Sequence, residues 1–133
     1  MAKIDFYEKP GCINNTKQRK MLEMYGHEVE VVSVLTHSWT ETSLRAFFGN
    51  MPVVEWFNPA APRIKKGEVI PHAMSEQSAL EAMIHDPLLI RRPLIEVGEI
   101  KIAGFDNELV STLLQHHDVS GVLHCPSLSN SCD

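Results

Sequence analysis

The chain has 133 residues, 44% of them hydrophobic and 22% charged, with a formal net charge of -5. That length suits one domain with a core that needs no disulfide or metal staple, and the acidic balance excludes nucleic-acid binding by charge alone. No run of about eighteen apolar residues occurs and Lys3 and Asp5 precede any apolar segment, so neither a membrane span nor a standard export signal is expected.

In chain order, Ile4 and Phe6 alternate with Lys3 and Asp5, the pattern of a half-buried strand. Pro10-Gly11 breaks the chain before a segment with helical spacing from Ile13 to Tyr25, closed by Gly26. Cys12 therefore sits where a strand ends and a helix begins. Unpaired amides and a partial positive charge at such a terminus favour a thiolate. The alternative for the same residue is a small buried hydrophobe. Val29, Val31, Val32 and Val34 read as a second strand, completing a βαβ unit with Cys12 at the C-terminal edge of its sheet.

Ser38 followed by Glu41 is a capping-box signature for a second helix from Trp39 to Phe48, with Leu44, Phe47 and Phe48 on one face. Residues 50 to 74 mix apolar and turn signals and are expected to hold a short helix at most. Ser75 or Ser78 caps a third helix with Ala79, Leu80, Met83 and Ile84 as its buried stripe, stopped by Asp86-Pro87. Leu94 to Val97 and Ile100 to Ala103, separated by Gly98-Glu99, read as a hairpin with a mirror-type turn. Asp106 can cap a last helix carrying Leu109, Val110, Leu113 and Leu114 up to His117. The expected organisation is one domain over 1–117, interrupted by a helical insertion at about 38–88, and a loose tail over 118–133.

Three cysteines at uneven spacing, with nothing to suggest secretion, are expected to stay thiols in a reducing cytoplasm. His116, His117, His124, Cys125 and Cys132 could hold a soft metal, but their spacing matches no common finger pattern; a solvated tail is the favoured reading and no metal site is assigned. The turn around Gly11 lacks the Gly-Lys-Ser/Thr ending of a nucleotide loop. Trp39, Phe47, Phe48, Trp56 and Phe57 read mainly as core, with Trp56-Phe57 as a candidate partner edge. By residue type alone, Arg91-Arg92 is equally an exposed basic pair.

Two stretches, Tyr7-Glu8-Lys9-Pro10-Gly11-Cys12 and Asp86-Pro87-Leu88-Leu89-Ile90-Arg91-Arg92-Pro93-Leu94-Ile95, together with the element order between them, resemble the ArsC/Spx family. These are glutaredoxin-related proteins, and within the family the chain is most similar to the branch described as nitrogenase-associated proteins. The resemblance spans roughly residues 3 to 116. It implies an α/β, thioredoxin-like fold: a mixed sheet built from βαβ and ββα halves with an inserted helical subdomain. It makes Cys12 the reactive thiol and Arg92-Pro93 a cis-proline loop beside it. Arg92 would then stabilise the thiolate and Pro93 would shape the substrate groove. By residue type, Asn14, Asn15 and Thr16 are candidates to donate hydrogen bonds to a sulfur-bound oxyanion or a glutathione carboxylate; as ordinary N-terminal helix residues they need no such role.

The departures are specific. Arsenate reductases of this family carry an arginine four residues after the cysteine, where this chain has Thr16. They carry others in the middle segment, here Val54 to Asn58, and after the hairpin, here Ala103-Gly104-Phe105. One remaining arginine compensates an arsenate anion poorly, so true arsenate reduction is not expected. Asn15 occupies the fourth position of a Cys-x-x-Cys pair, leaving Cys125 and Cys132 as candidate resolving thiols. The segment from His117 to Cys125 extends about 26 Å, enough to reach across much of a domain. The resemblance thus implies a cytoplasmic thiol oxidoreductase with no bound cofactor, glutathione as co-substrate, and glutathione or a glutaredoxin-like protein as reductant. The alternative is a non-catalytic binding or regulatory module docking on a larger protein, such as RNA polymerase or a nitrogenase-related assembly.

Overall fold

The computed structural model describes residues 2–114. Within them β1 (Lys3–Glu8), α1 (Ile13–Met24) and β2 (Glu28–Ser33) form the expected βαβ unit, with β1 and β2 parallel and Phe6 opposite Val31. The hairpin of β3 (Leu94–Val97) and β4 (Ile100–Ala103) completes a four-stranded mixed sheet in the order β2-β1-β3-β4. β3 runs antiparallel to β1, with Leu94 opposite Tyr7, and Gly98 turns the hairpin at φ +60°, a conformation that suits glycine. Between the halves lie α2 (Glu41–Arg45), α3 (Pro62–Lys65), α4 (Glu76–His85) and three short 3-10 turns; α5 (Glu108–Leu113) follows the hairpin.

Strand alternation divides the core between the two sheet faces. Ile4, Phe6 and Ile95 pack with Leu22 of α1 and with Val110 and Leu113 of α5. Tyr7 and Leu94 pack against the insertion, where Trp39, Leu44, Trp56, Phe57, Leu80 and Met83 are buried. The five insertion aromatics expected as core are all buried, Trp56 and Phe57 included, so neither forms an exposed partner edge. Phe48 and Trp56 stack at 4.6 Å, and Arg45 lies 4.8 Å over the Trp56 ring. Among the described residues no helix is long and apolar enough to cross a membrane.

Two helix starts differ from the sequence reading. The expected helix from Trp39 to Phe48 with a Ser38–Glu41 box is α2 alone, capped by Thr40 with Ser43 completing the box. Trp39 is held outside the helix because its indole Nε1–H donates to the Val34 carbonyl at 3.0 Å. Asp106 does not cap α5; Asn107 does, its Oδ1 accepting from Val110 N at 2.9 Å, while the Asp106 carboxylate accepts from Arg91 Nη2. At α4 both candidate serines act: Ser75 is the cap and Ser78 the return partner of its box. The proposed tail, with Cys125, Cys132 and the His116 to His124 cluster, lies outside the described residues.

Candidate functional site

β1 delivers the chain to the edge of the sheet, and Lys9-Pro10-Gly11 reverses it into α1. Gly11 takes φ +85°, a left-handed value that a side chain would strain. The Cys12 amide closes the turn on the Lys9 carbonyl at 3.1 Å. Cys12 is itself the N-cap of α1: its backbone is extended, and its Sγ accepts the Asn15 N–H at 3.5 Å. No acidic residue occupies the first turn of α1, so no carboxylate competes for the positive end of the helix. The sulfur is therefore placed as an acceptor for the Asn15 amide, and Cys12 is 1% exposed.

Asn15 supports this turn from inside. Its Oδ1 accepts the Lys9 N–H at 3.1 Å and its Nδ2 donates to Gln18 Oε1 at 3.0 Å. Asn14, Asn15 and Gln18 are each 3% exposed, a row of carboxamides under the loop rather than on its surface. The Thr16 hydroxyl donates to the Cys12 carbonyl at 3.1 Å. The side chains of Asn15 and Thr16 thus bond to the turn that presents the thiol. Glu8, one residue before the turn, is buried beside Arg19, whose Nε lies 3.8 Å from its Oε1. Burial holds the Glu8 carboxyl above the usual carboxylate range, against the opposing pull of Arg19. Tyr7, on the other sheet face, is also pushed up by burial and then by the nearby carboxylates of Glu96, Asp5 and Glu30.

The second wall comes from the chain entering β3. The Arg92–Pro93 peptide bond is cis, and because Leu94 pairs with Tyr7 this bond lies at the same sheet edge as the Cys12 turn. Pro93 is buried and its carbonyl accepts the Gly104 N–H at 2.8 Å. Beside it opens a cavity of about 230 Å³ lined by Gln18, Asn58, Arg91, Arg92, Phe105 and Asp106 among others. Cys12 does not line it; Gln18, bonded to Asn15, connects it to the thiol turn. Arg91 crosses its rim. Nη2 donates to Asp106 at 3.1 Å and Nη1 to the Glu55 carbonyl at 3.5 Å.

The structure thus brings Cys12, Asn15 and Thr16 into one hydrogen-bonded turn and sets Arg92 and Pro93 at the same edge. Gln18, Asn58 and Asp106 were missed as site residues by sequence reasoning, because they come from three distant segments with no shared spacing. The Arg91-Arg92 doublet was the available signal. Among the described residues no group of three or more His, Cys, Asp or Glu side chains is placed to hold a metal ion.

Comparison with known proteins agrees with this architecture. The ArsC family model matches residues 7–113. An uncharacterized 15.7 kDa protein in the draG 3' region of Rhodospirillum rubrum is 48% identical over 129 residues, covering 96% of this chain and 90% of that protein. Among solved structures, a putative ArsC family related protein from Bacteroides fragilis superposes with a TM-score of 0.71 at 22% identity, over 83% of this chain and 96% of that one. An arsenate reductase from Vibrio cholerae gives a TM-score of 0.70 at 22% identity, over 85% and 98%. Taken with the thiol-bearing βαβ turn and the proline loop facing it, these matches show that the chain belongs to the ArsC family and has its thioredoxin-like fold.

Proposed function

We propose that this protein is a thiol oxidoreductase in which Cys12 is the nucleophile of a thiol/disulfide or glutathione-linked reduction. The observation that carries this reading is the Cys12 side chain acting as N-cap, with an amide donor already directed at its sulfur. That N–H would hold the sulfur at the turn as it attacks. Arg92 supplies a fixed cation at the same edge and Pro93 forms the wall of the groove. Thr16 and the segment Val54 to Asn58 carry none of the arginines expected for arsenate, and the substrate proposed here is an oxidised thiol. Glutathione serves as co-substrate, glutathione or a glutaredoxin-like protein as reductant, and the reaction takes place in the cytoplasm. Cys125 is the further candidate for resolving the adduct.

The step is a balanced exchange. Cys12 thiolate attacks one sulfur of a disulfide, its S–S bond forms as the substrate's S–S bond breaks, and the departing thiolate takes a proton from water. The test is incubation with glutathione disulfide followed by peptide mass analysis and turnover with glutathione and glutaredoxin. The adduct is expected on Cys12, and turnover should vanish in Cys12→Ser. Unchanged turnover in that variant ends the proposal.

A second reading rests on the 1% exposure of Cys12, since a buried cysteine that caps a helix also suits a protein that binds without catalysing. The resemblance to the nitrogenase-associated branch and the position of the Rhodospirillum rubrum relative in the draG 3' region favour an accessory role of that kind. A folded protein that forms no mixed disulfide with any disulfide offered supports this second reading.

A further inference from the structure

We propose that the outer edge of β2 is a docking surface for an extended, basic segment of a partner protein, which joins the four-stranded sheet as a further strand and sets lysine or arginine side chains against Glu28 and Glu30. This surface uses none of the residues assigned to thiol exchange.

β2 ends the sheet order β2-β1-β3-β4, so one side of its backbone has no neighbouring strand. The parallel pairing with β1 fixes which groups that side presents. Glu28 N–H donates to the Ala2 carbonyl at 2.9 Å and Val34 N–H to the Glu8 carbonyl at 2.8 Å, so the even-numbered residues of this run bond to β1. Val29 and Val31 therefore turn their N–H and C=O groups outward. Among the described residues those groups take part in no hydrogen bond. The edge is also open, since Glu28, Glu30 and Val31 are exposed, Val31 at 45%. Unpaired ladder groups on an exposed strand are a template for another strand.

Charge decides what that strand carries. Alternation puts Glu28 and Glu30 on one face of the sheet and Val29 and Val31 on the other. On the acidic face Glu30 stands opposite Asp5, and Asp5 opposite Glu96, three carboxylates in cross-strand register. Like charges directly opposite one another destabilise a sheet, and among the described residues none of the three is in an ion pair. Lys3, opposite Glu28, and Lys101, opposite Glu96, leave this face with four carboxylates against two lysines. A cation arriving beside Glu30 relieves the row at its open end. Two other occupants fit poorly. A second copy paired through the same edge brings its own Glu28 and Glu30 to these. Residues 115–133 hold Asp118 and Asp133 but no lysine or arginine. A segment that alternates basic and apolar residues suits both faces, its cations against Glu28 and Glu30 and an apolar side chain against Val31.

The test uses the full chain, capped hexapeptides in which valine alternates with lysine, glutamine or glutamate, and backbone amide NMR. Without peptide, the Val29 and Val31 amides should exchange with solvent at least about tenfold faster than those of Glu30 and Val32. Equal protection overturns the docking surface, because the edge is then already covered; its loss on dilution identifies a second copy, and its persistence identifies residues 115–133. The lysine peptide should give saturable shifts at Val29, Val31 and Ser33 and bind about fivefold more tightly than the glutamine peptide, with the glutamate peptide weakest. Glu28→Gln together with Glu30→Gln should bring the lysine-to-glutamine ratio to within about twofold. Equal affinity for the two peptides in the native chain, or a ratio unchanged in the double variant, removes the basic partner. Two further lysine peptides, N-methylated at the valines or at the lysines, separate backbone pairing from charge. One of them should lose about tenfold in affinity, the valine version for an antiparallel strand and the lysine version for a parallel one. Full binding by both is ionic attraction without strand addition and overturns the proposal.

Discussion

Replacing Gly104 by alanine tests how Arg91 is held. Gly104 has φ +90°, where a residue with a side chain costs about 1–2 kcal/mol. The new Cβ would also meet Arg91 Nε at 2.9 Å and Asp106 Oδ1 at 3.0 Å, closer than such contacts allow, so the guanidinium must leave its seat. The Arg91–Asp106 pair is 26% and 50% exposed and contributes less than about 1 kcal/mol. The sum is a loss of about 1–3 kcal/mol. For a domain of this size 1 kcal/mol corresponds to roughly 4 °C, so Tm should fall by about 4–12 °C in scanning calorimetry. Gly98→Ala is the control: its φ is +60° and no atom lies within 4 Å of the new Cβ, which leaves only the backbone cost of about 1–2 kcal/mol. The two variants should also differ at Arg91, Gly104→Ala alone shifting the Arg91 side-chain NMR signals. Equal Tm losses together with unchanged Arg91 side-chain signals in Gly104→Ala would refute the packing argument.

Cys12→Ala should lose about 0.5–2 kcal/mol with the N-cap acceptor, whereas Cys12→Ser, a strong capping residue, should keep nearly native stability; urea melts of both variants check this, and equal losses would show that the sulfur does not cap. Glu8→Gln probes the buried carboxyl. Because burial raises its folded-state pKa, Glu8 favours the folded state below the ordinary carboxylate range, and this contribution is lost as pH rises through the folded value. The stability of the native chain should therefore fall relative to Glu8→Gln as pH is raised from about 4 to 7, and a constant difference would rule out the shift. His27 accepts the Ala2 N–H on Nδ1 at 3.0 Å, which places its proton on Nε2, directed at the Leu113 carbonyl at 2.8 Å. His27→Ala should cost about 1–3 kcal/mol and accelerate amide exchange in α5; protection left unchanged there would show that the clasp does not secure the helix.

The order of elements was legible because each carries its own signal. The Val-rich β2, the glycine of the hairpin and the serine box of α4 all act locally, and each stands where its residues indicated. Cys12 was legible as a helix start for the same reason. The differences arise where a distant partner decides between local candidates. Asp106 and Asn107 are both capping types, and the choice falls to Asn107 because Arg91, fifteen residues earlier, takes the aspartate. Trp39 has helical neighbours, yet its indole bonds back to Val34 and delays the helix to Glu41. Burial of Asn14, Asn15 and Gln18 could not be read from a polar segment of α1, because the loop and wall that cover it arrive from other parts of the chain.

The antiparallel bridge between Phe57 and Ile90 has a mechanical meaning. With the amides of Asn58 and Arg91 bonded across it, the middle of the insertion is fastened to the segment that carries the arginines, immediately before the cis bond. The insertion and the proline loop are thus tied to each other at one point beside the site. A change in packing that moved this part of the insertion would carry the backbone of Asn58 and Arg91 together, because the two are bonded across the bridge. The insertion and the arginine segment that line the cavity therefore share one backbone anchor.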